Sequence, residues 1–275
     1  MIFDILTIFP GMFDSPLSES IVGKAMDRGL IRVRLHNIRD YAADKHQMTD
    51  DRPFGGGEGM VMKPEPIVEC LDKLVEEAPR PRIVLLSPQG RLFNQQLALH
   101  LSRLPRLALI CGRYEGVDER VAEHYVDDIL SIGDYILTGG EVAAMVLIDA
   151  VTRLIPGVLG NTASAETESF AGPLLEYPQY TRPREFRGQR VPEILLSGHH
   201  EAIQRWRKGQ ALLRTKRRRP DLFAQLRLSP KDIEILRGAE EEFERESGPG
   251  RTEESAGGGS SLHSAGALPG AESQR

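Results

Sequence analysis

The chain has 275 residues and a net charge of −5, and its 40% hydrophobic and 27% charged residues are typical of a globular protein with a buried core. No apolar run reaches the ~18 residues of a membrane span, and the N-terminus lacks the basic start and small-residue cleavage site of an export signal. Cys70 and Cys111 form neither a CxxC motif nor a zinc spacing with His, so the sequence predicts a cytoplasmic protein without structural zinc.

Residues 1–159 alternate strand-like and helical patterns, the order typical of a parallel α/β sheet. Apolar runs predict five strands, at Ile2–Phe9, Ile31–His36, Arg82–Ser87, Leu107–Cys111 and Asp128–Ile132. Apolar residues at helical spacing predict helices at Pro64–Ala78, Asn94–Leu104 and Glu141–Ile155. The last helix is apolar on nearly all sides, which indicates burial in the core or in a subunit interface.

The remainder of the chain divides by composition and charge. Residues 160–176 are small and polar and predict a flexible linker or lid, whereas residues 177–238 carry 15 Lys and Arg against 6 Asp and Glu. We therefore predict a small basic helical domain over residues 177–246 with a nucleic-acid partner, although a solvated basic face without a partner has the same charge. Residues 247–275 are rich in Gly, Ser, Ala and Glu and predict a disordered tail.

Three of the predicted strands run into glycine-containing loops, SPQG at 87–90, GRYEG at 112–116 and GDYILTGGE at 133–141. The carboxyl ends of parallel strands meet at one edge of a sheet, where ligands bind, and glycine lets backbone groups approach a ligand closely. One such loop is usually an ordinary turn, but three in series favour a ligand site, for example for a purine.

The chain has no GxGxxG after a strand, no GxxxxGK[ST] and no GxSxG, which argues against dinucleotide, triphosphate and hydrolase sites. The glycine-rich residues 49–64 fit either a long exposed turn or a loop that closes on substrate.

Seven motifs spread over Met1–Arg237 carry a family resemblance. In chain order they are DDRPFGGGEGMVM, LLSPQGRLFNQ, LICGRYEGVDERV, SIGDYILTGGE, DAVTRLIPGVLG, YPQYTRP and VPEILLSGHHEAIQRWR. With them the chain resembles the TrmD family, the bacterial tRNA (guanine-N1)-methyltransferases of the knotted SPOUT superfamily. The resemblance implies a parallel-sheet SPOUT domain with a C-terminal trefoil knot, followed by the basic helical domain. It also implies S-adenosylmethionine as methyl donor, guanine N1 at tRNA position 37 as acceptor, and a homodimer whose subunits share each active site.

The family pattern places the methyl donor in a pocket formed by the three glycine-containing loops. For Glu115 and Asp134, hydrogen bonds that shape these loops are the alternative role. The donor residues carried over are Leu86, Ser87, Pro88, Gly90, Gly112, Tyr114, Glu115, Gly116, Ile132, Gly133, Asp134, Tyr135, Ile136, Leu137, Gly139 and Gly140.

Methylation of guanine N1 requires removal of the N1 proton by a general base, and a cation near O6 would stabilise the charge that develops. In the family a linker Asp is the base and an Arg after the apolar helix is the cation. The resemblance assigns these roles to Glu168 and Arg153. Glu168 departs from the usual Asp, and its alternative role is that of a solvated linker acid. Glu166 is the nearest substitute.

The resemblance further implies that the basic domain binds the phosphates of the tRNA anticodon arm. Arg214–Pro220 is the densest basic run, and Trp206 is expected either to stack on a base or to pack in the core. Mg²⁺ is associated with activity in the family, but no Asp/Glu cluster in the sequence forms a recognisable cage. Two alternatives remain: a knotted methyltransferase for ribose 2′-hydroxyls or ribosomal RNA, and a non-catalytic RNA-binding protein.

Overall fold

The computed structural model describes residues 1–160, 168–170 and 172–247. These residues form two compact units that separate between Gly172 and Pro173, and we call them unit 1 and unit 2. The separation falls inside the predicted linker, while most of the predicted tail lies outside the described residues, so the predicted domain limits stay predictions. No helix in the described ranges is long and apolar enough to cross a membrane.

Unit 1 is built on a five-stranded sheet whose neighbouring strands all run parallel. Its strands are β1 (Ile2–Thr7), β2 (Arg32–Asn37), β3 (Asp50–Asp51), β4 (Val61–Met62), β5 (Arg82–Leu92), β6 (Arg106–Cys111) and β7 (Asp128–Ser131). The sheet order is β2-β1-β6-β5-β7, and β3 and β4 form a separate antiparallel pair. The five sheet strands lie where the sequence predicts them, with ends shifted by one or two residues except at the end of β5.

Helices cover both faces of this sheet. They are α1 (Asp14–Ser18), α2 (Ser20–Asp27), α3 (Pro64–Glu76), α4 (Gln95–Leu101), α5 (Glu119–His124) and α6 (Glu141–Thr152), with 3₁₀ helices at Pro10–Phe13 and Ile38–Tyr41. The three predicted helices correspond to α3, α4 and α6, each of which ends two or three residues earlier than predicted. Asn94 caps α4, because its side-chain oxygen accepts a hydrogen bond from the Leu97 N–H at 3.0 Å.

Alternate residues of the central strands divide the core of unit 1 into two layers. In β6, Leu107, Leu109 and Cys111 face the layer formed with α2, α4 and α6, whereas Ala108 and Ile110 face α3 and α5. Every residue of β6 is buried, as expected at the centre of a parallel sheet covered on both faces. This packing fixes β5, β6 and β7 side by side, so their carboxyl ends meet at one edge.

A charged cluster is buried within the sheet at β1. The carboxylate of Asp4 is fully buried and lies 2.7 Å from Arg106 Nε, 2.6 Å from Arg34 Nε and 2.8 Å from His36 Nε2. Burial raises the pKa of Asp4, but the hydrogen bonds from His36, Arg34 and Arg106 outweigh burial and lower its pKa to about 2. Arg106 is only 1% exposed, so the two opposite charges depend on each other inside the protein. The other donors of Arg106 bind the Glu77 carboxylate and the carbonyl oxygens of Leu74, Glu77 and Pro79.

β5 is longer than predicted, because the chain leaves the sheet and then rejoins it. The sequence predicts a strand that ends at Ser87, but pairing with β7 resumes further on and continues to the end of β5. Leu86 and Arg91 both lie opposite Leu130, so residues 87–90 bulge out of the ladder. The SPQG segment is therefore a bulge within a strand rather than a loop that follows one.

Unit 2 is helical, with one short antiparallel hairpin. Its elements are β8 (Glu185–Phe186), β9 (Gln189–Arg190), a 3₁₀ helix (Glu193–Leu196), α7 (His200–Arg218), α8 (Pro220–Phe223) and α9 (Pro230–Ser247). Its core joins α7 to α9, where Leu212 and Leu213 pack against Ile235, Leu236 and Ala239.

The buried face of α7 differs from the apolar stripe that the sequence predicts. The spacing predicts a stripe through Ile203, Trp206, Gln210 and Leu213, but only Leu213 is buried and the other three are half-buried. The difference arises because the core around α9 is built on the second half of α7, whereas Ile203 and Trp206 lie in the first half. Trp206 is thus neither a fully buried core residue nor an open platform for a base.

Candidate active site

The carboxyl ends of β5, β6 and β7 surround a cavity of about 620 Å³ in unit 1. All three glycine-containing segments contribute to its wall, as expected for the edge where parallel strands end. Fourteen of the sixteen predicted donor residues line the cavity: Leu86, Ser87, Pro88, Gly112, Tyr114, Glu115, Gly116, Ile132, Gly133, Tyr135, Ile136, Leu137, Gly139 and Gly140.

Two predicted donor residues, Gly90 and Asp134, lie outside this lining. Gly90 sits in the β5 bulge, where a Cβ atom would come within 2.5 Å of the backbone of Ile129. Its missing side chain lets the bulge lie against β7, which positions Ser87 and Pro88 at the cavity. Asp134 is exposed between two residues that do line the cavity. Contact of any of the sixteen with a donor stays a prediction.

Sequence reasoning missed twelve further residues of the cavity wall. Eight of them lie inside the quoted motifs, so their neighbours were a signal for them: Val61, Leu85, Gln89, Arg113, Val117, Glu119, Ser131 and Thr138. The other four lie on α5, β7 and α6 outside these motifs, and their convergence depends on the folded sheet. The twelve are Val61, Leu85, Gln89, Arg113, Val117, Glu119, Ala122, Ile129, Leu130, Ser131, Thr138 and Ala143.

A buried ionic pair joins three of the segments around the cavity. Glu141, fully buried at the start of α6, accepts a hydrogen bond from Thr7 Oγ1 at 2.7 Å and another from Arg113 Nε at 2.9 Å. Arg113 Nη1 donates to the carbonyl oxygen of Thr138 at 3.1 Å, and its guanidinium lies over the Phe9 ring. The pair therefore fixes the ends of β1 and β6 to the loop that follows β7.

The backbone around the cavity is held in close and strained arrangements. The Gly140 N–H donates to the Gly112 carbonyl at 2.9 Å, and a Cβ atom at Gly140 would come within 2.7 Å of Cys111 Cα. Only glycine allows this approach, which brings the start of α6 against the end of β6. Tyr114 has φ +58°, a left-handed conformation that costs about 1 kcal/mol or more and that clusters at functional sites.

The glycine-rich residues 49–64 lie beside this cavity. The Glu115 N–H donates to the Met60 carbonyl, and the Met62 N–H donates to the Gly116 carbonyl, both at 2.9 Å. Val61 between them lines the cavity. The segment is therefore paired with the GRYEG loop, and its closure on a substrate stays a prediction.

The predicted base and cation form an ion pair at the end of α6. Arg153 Nη2 lies 2.8 Å from both carboxylate oxygens of Glu168, and both side chains are about one-third exposed. Among the described residues, no acceptor is paired with Nε or Nη1 of Arg153. Neither residue lines the 620 Å³ cavity of the same chain. Glu166 lies outside the described residues.

Comparison with known proteins identifies the family to which this geometry belongs. The family described as tRNA (Guanine-1)-methyltransferase TrmD matches residues 1–225. The chain belongs to the TrmD family. A relative from Geotalea uraniireducens, named tRNA (guanine-N(1)-)-methyltransferase, is 58% identical over 248 residues, which cover 90% of this chain and 99% of the relative. A relative of the same name from Dehalococcoides mccartyi is 54% identical over 237 residues, which cover 86% and 96%.

A solved structure supports the same family assignment. The crystal structure of tRNA (m1G37) methyltransferase from Aquifex aeolicus matches with a TM-score of 0.67 and 43% sequence identity, over 82% of this chain and 95% of that one. The five-stranded parallel sheet and this likeness confirm the predicted α/β SPOUT fold of the TrmD family. The family match includes every cavity residue as well as Arg153 and Glu168.

Proposed function

We propose that this TrmD-family protein uses S-adenosylmethionine to methylate N1 of the guanine immediately 3′ of the tRNA anticodon, at position 37. The observation that carries the proposal is the Arg153–Glu168 pair, because it places a carboxylate beside a guanidinium with donors to spare. Guanine presents the N1–H donor next to the O6 acceptor, and this edge is complementary to such a pair.

The 620 Å³ cavity fits the methyl donor. Its volume lies in the range of pockets for small molecules, and its glycine-containing walls expose backbone donors and acceptors that suit the edge of an adenine. The residues proposed to hold the donor are the fourteen predicted ones that line the cavity. When bound, S-adenosylmethionine supplies a methyl group on a positively charged sulfur.

Glu168 and Arg153 carry out the acid–base part of the reaction. The Glu168 carboxylate accepts the proton of guanine N1, which makes the N1 lone pair available as the nucleophile; the donor would supply the methyl group and leave as a neutral thioether. Arg153 donates to O6 and stabilises the negative charge that spreads onto this oxygen. Because Nε and Nη1 of Arg153 have no partner among the described residues, it can bind O6 while Nη2 keeps Glu168 in place.

Primer extension on the reaction product tests this proposal. Methylation at N1 blocks the Watson–Crick edge, so reverse transcriptase is expected to stop one nucleotide before the guanine that follows the anticodon. The stop requires both the protein and S-adenosylmethionine. Read-through at this guanine, or a stop at another nucleotide, would contradict the proposal.

Donor binding depends on Glu141, which acts as a positioning residue outside the cavity wall. We expect Glu141→Gln to weaken S-adenosylmethionine binding about 5- to 30-fold, because an uncharged amide cannot hold both Thr7 and Arg113 as the carboxylate does. The measurement is titration calorimetry, with the exposed Glu123→Gln as the matched control. Equal affinities of the two variants would show that the ionic pair does not position the donor loops.

The basic run of α7 is proposed to contact tRNA phosphates, but its charges are not equivalent. Lys216 Nζ lies 2.6 Å from a carboxylate oxygen of Glu240, and Arg219 Nη2 lies 2.6 Å from one of Asp221. These two cations are therefore already neutralised in part by neighbours.

Arg214 and Arg218 have no carboxylate within ion-pair distance in the described part of the chain. Burial and, to a smaller extent, the neighbouring positive charge of Arg218 lower the pKa of Arg214. We expect Arg214→Gln/Arg218→Gln to weaken tRNA binding and to reduce the slope of log Kd against log salt by about 2. Lys216→Gln/Arg219→Gln is the control and is expected to change the slope less. The reverse order, measured by fluorescence anisotropy at several salt concentrations, would contradict the assignment.

The active unit is proposed to be a homodimer in which α6 contributes to the interface. Val142 and Val146 are one helical turn apart on α6 and remain 44% and 42% exposed, so an apolar strip is left uncovered in the single chain. A shared site also fits the position of Arg153 and Glu168 outside the cavity of their own chain.

Charges placed in this strip are expected to abolish the dimer. Val142→Glu/Val146→Glu should sediment as a monomer and lose methyl transfer, because burying two carboxylates in an apolar interface is costly. Val75→Glu, on α3, replaces a similarly exposed valine and is expected to leave the dimer intact. A dimeric Val142→Glu/Val146→Glu variant would place the interface elsewhere.

Three further expectations remain proposals. The described side chains contain no group of three or more His, Cys, Asp or Glu arranged to hold a metal, and a role for Mg²⁺ stays a proposal from the family. The trefoil knot is proposed from the family resemblance alone. Because tRNA is the proposed substrate, the cytoplasm is the proposed place of action.

A further inference from the structure

Unit 2 contains a second cavity, of about 440 Å³, that belongs to no part of the proposed methyl-transfer site. It lies between the segment 177–184, the strand end at Val191, the 3₁₀ helix Glu193–Leu196 and the first half of α7. Its wall is formed by Tyr177, Pro178, Gln179, Tyr180, Thr181, Arg182, Arg184, Val191, Leu195, Leu196, Ile203 and Arg207.

The cavity wall is positively charged and lacks a compensating acid. Arg182, Arg184 and Arg207 line it, and its wall contains no Asp or Glu. Within the described ranges, none of the three guanidinium groups lies within 4 Å of a carboxylate. Nε of Arg207 is buried and has no hydrogen-bond partner, which leaves a costly unsatisfied donor. An anionic ligand in the cavity would bring acceptors to the Arg207 guanidinium.

The same wall offers aromatic surface next to the charge. The Arg207 guanidinium lies over the Tyr177 ring, 4.8 Å from its centroid, and Tyr180 is 50% exposed. A nucleotide combines a planar base, which stacks on an aromatic ring, with a phosphate, which binds guanidinium groups. Because Tyr180 is exposed and the Tyr177 ring is covered by Arg207, Tyr180 offers the ring for stacking.

We propose that this cavity binds one unstacked nucleotide of the substrate RNA, with its base against Tyr180 and its phosphate at Arg182, Arg184 and Arg207. The proposal rests on the proposed function, because it takes tRNA as the substrate. It differs from the phosphate contacts proposed for Arg214 and Arg218 because it involves a base as well as charge, and its effect therefore depends on one particular nucleotide. Stacking depends little on base type, so we expect this site to bind any base that has left the helix and not to select one type of base.

Binding of an anticodon-arm RNA hairpin to the full-length protein tests the proposal. We expect Tyr180→Ala to weaken binding about 5- to 100-fold through lost stacking, whereas Tyr180→Phe keeps the ring and binds like the wild type. Phe186→Ala is the matched control, because Phe186 is an exposed aromatic residue of unit 2 outside the cavity. Arg207→Gln is expected to weaken binding more than Arg227→Gln, which removes an exposed charge elsewhere in unit 2.

A scan of the hairpin with single abasic nucleotides identifies the bound base. At one position, the wild type should bind the abasic RNA as weakly as Tyr180→Ala binds intact RNA. Tyr180→Ala should bind that abasic RNA no more weakly than it binds intact RNA, because the same stacking contact is already lost. Wild-type affinity of Tyr180→Ala, or equal losses at every abasic position, would overturn the proposal. Methyl transfer by the wild type is measured separately. If the wild type forms 1-methylguanosine and Tyr180→Ala binds RNA normally, the cavity proposal is rejected and the proposed function is kept.

Discussion

Glu168→Gln is expected to lower single-turnover methyl transfer by about 10²–10⁴-fold while donor affinity stays near that of the wild type. The amide keeps the size and polarity of the side chain and its hydrogen-bonding reach to Arg153. It cannot accept the N1 proton, so only the chemical step loses its base. Single-turnover conditions are required because product release would otherwise mask part of the loss.

Two neighbouring variants control for the position of the base. Glu168→Asp introduces the Asp that the family resemblance implies at this position and is expected to keep much of the activity, although a shorter side chain shifts the carboxylate. Glu166→Gln is expected to change little. Full activity of Glu168→Gln with a large loss in Glu166→Gln would move the base to Glu166. Full activity of both variants would mean that the proton leaves by another route.

Asp4→Asn is expected to lower the free energy of unfolding by about 3–5 kcal/mol, because it leaves the buried Arg106 guanidinium with only the half-exposed Glu77 carboxylate, 3.3 Å away, as a charge partner. The measurement is urea denaturation followed by circular dichroism. Glu69→Gln, which breaks an exposed pair with Lys73, is the control and is expected to cost less than about 1 kcal/mol. A small loss in Asp4→Asn would show that the remaining partners of Arg106, the Glu77 carboxylate and three carbonyl oxygens, suffice.

The contribution of the Asp4 carboxylate to the free energy of unfolding depends on pH. The pKa of Asp4 is lowered from its ordinary 3.8 to about 2 in the folded protein, so the unfolded chain takes up this proton first as the pH falls. The contribution of Asp4 is therefore fully present above about pH 4 and is lost between pH 4 and pH 2. The stability difference between the wild type and Asp4→Asn is expected to narrow over that interval.

The sequence predicted the sheet and the three glycine-containing segments at its edge because both depend on local patterns, whereas the individual donor residues were implied by the family resemblance. Apolar runs followed by glycine identify strand ends, and parallel strands bring their ends together wherever they lie in the sequence. The β5 bulge was missed, because nothing local distinguishes a loop from a chain that rejoins its neighbour opposite Leu130. The Thr7–Glu141 contact was missed because it joins residues 134 positions apart.

The second cavity could not be predicted for a related reason. The motif YPQYTRP marked the segment that carries Tyr177, Tyr180 and Arg182, and the sequence also marked α7. Only the fold shows that Arg207 of α7 points its guanidinium over Tyr177 and leaves one donor buried and unpaired. A local pattern gives residue types and periodicity, whereas an unsatisfied donor is a property of the packed structure.

The most direct test of the central claim is nucleoside analysis of tRNA incubated with the full-length protein and S-adenosylmethionine. The tRNA is digested completely and its nucleosides are separated by chromatography and identified by mass spectrometry. We expect 1-methylguanosine to form only in tRNA in which a guanine follows the anticodon. We expect Glu168→Gln to lose this product. A methyl group on the ribose 2′-oxygen, or on a base other than that guanine, would contradict it.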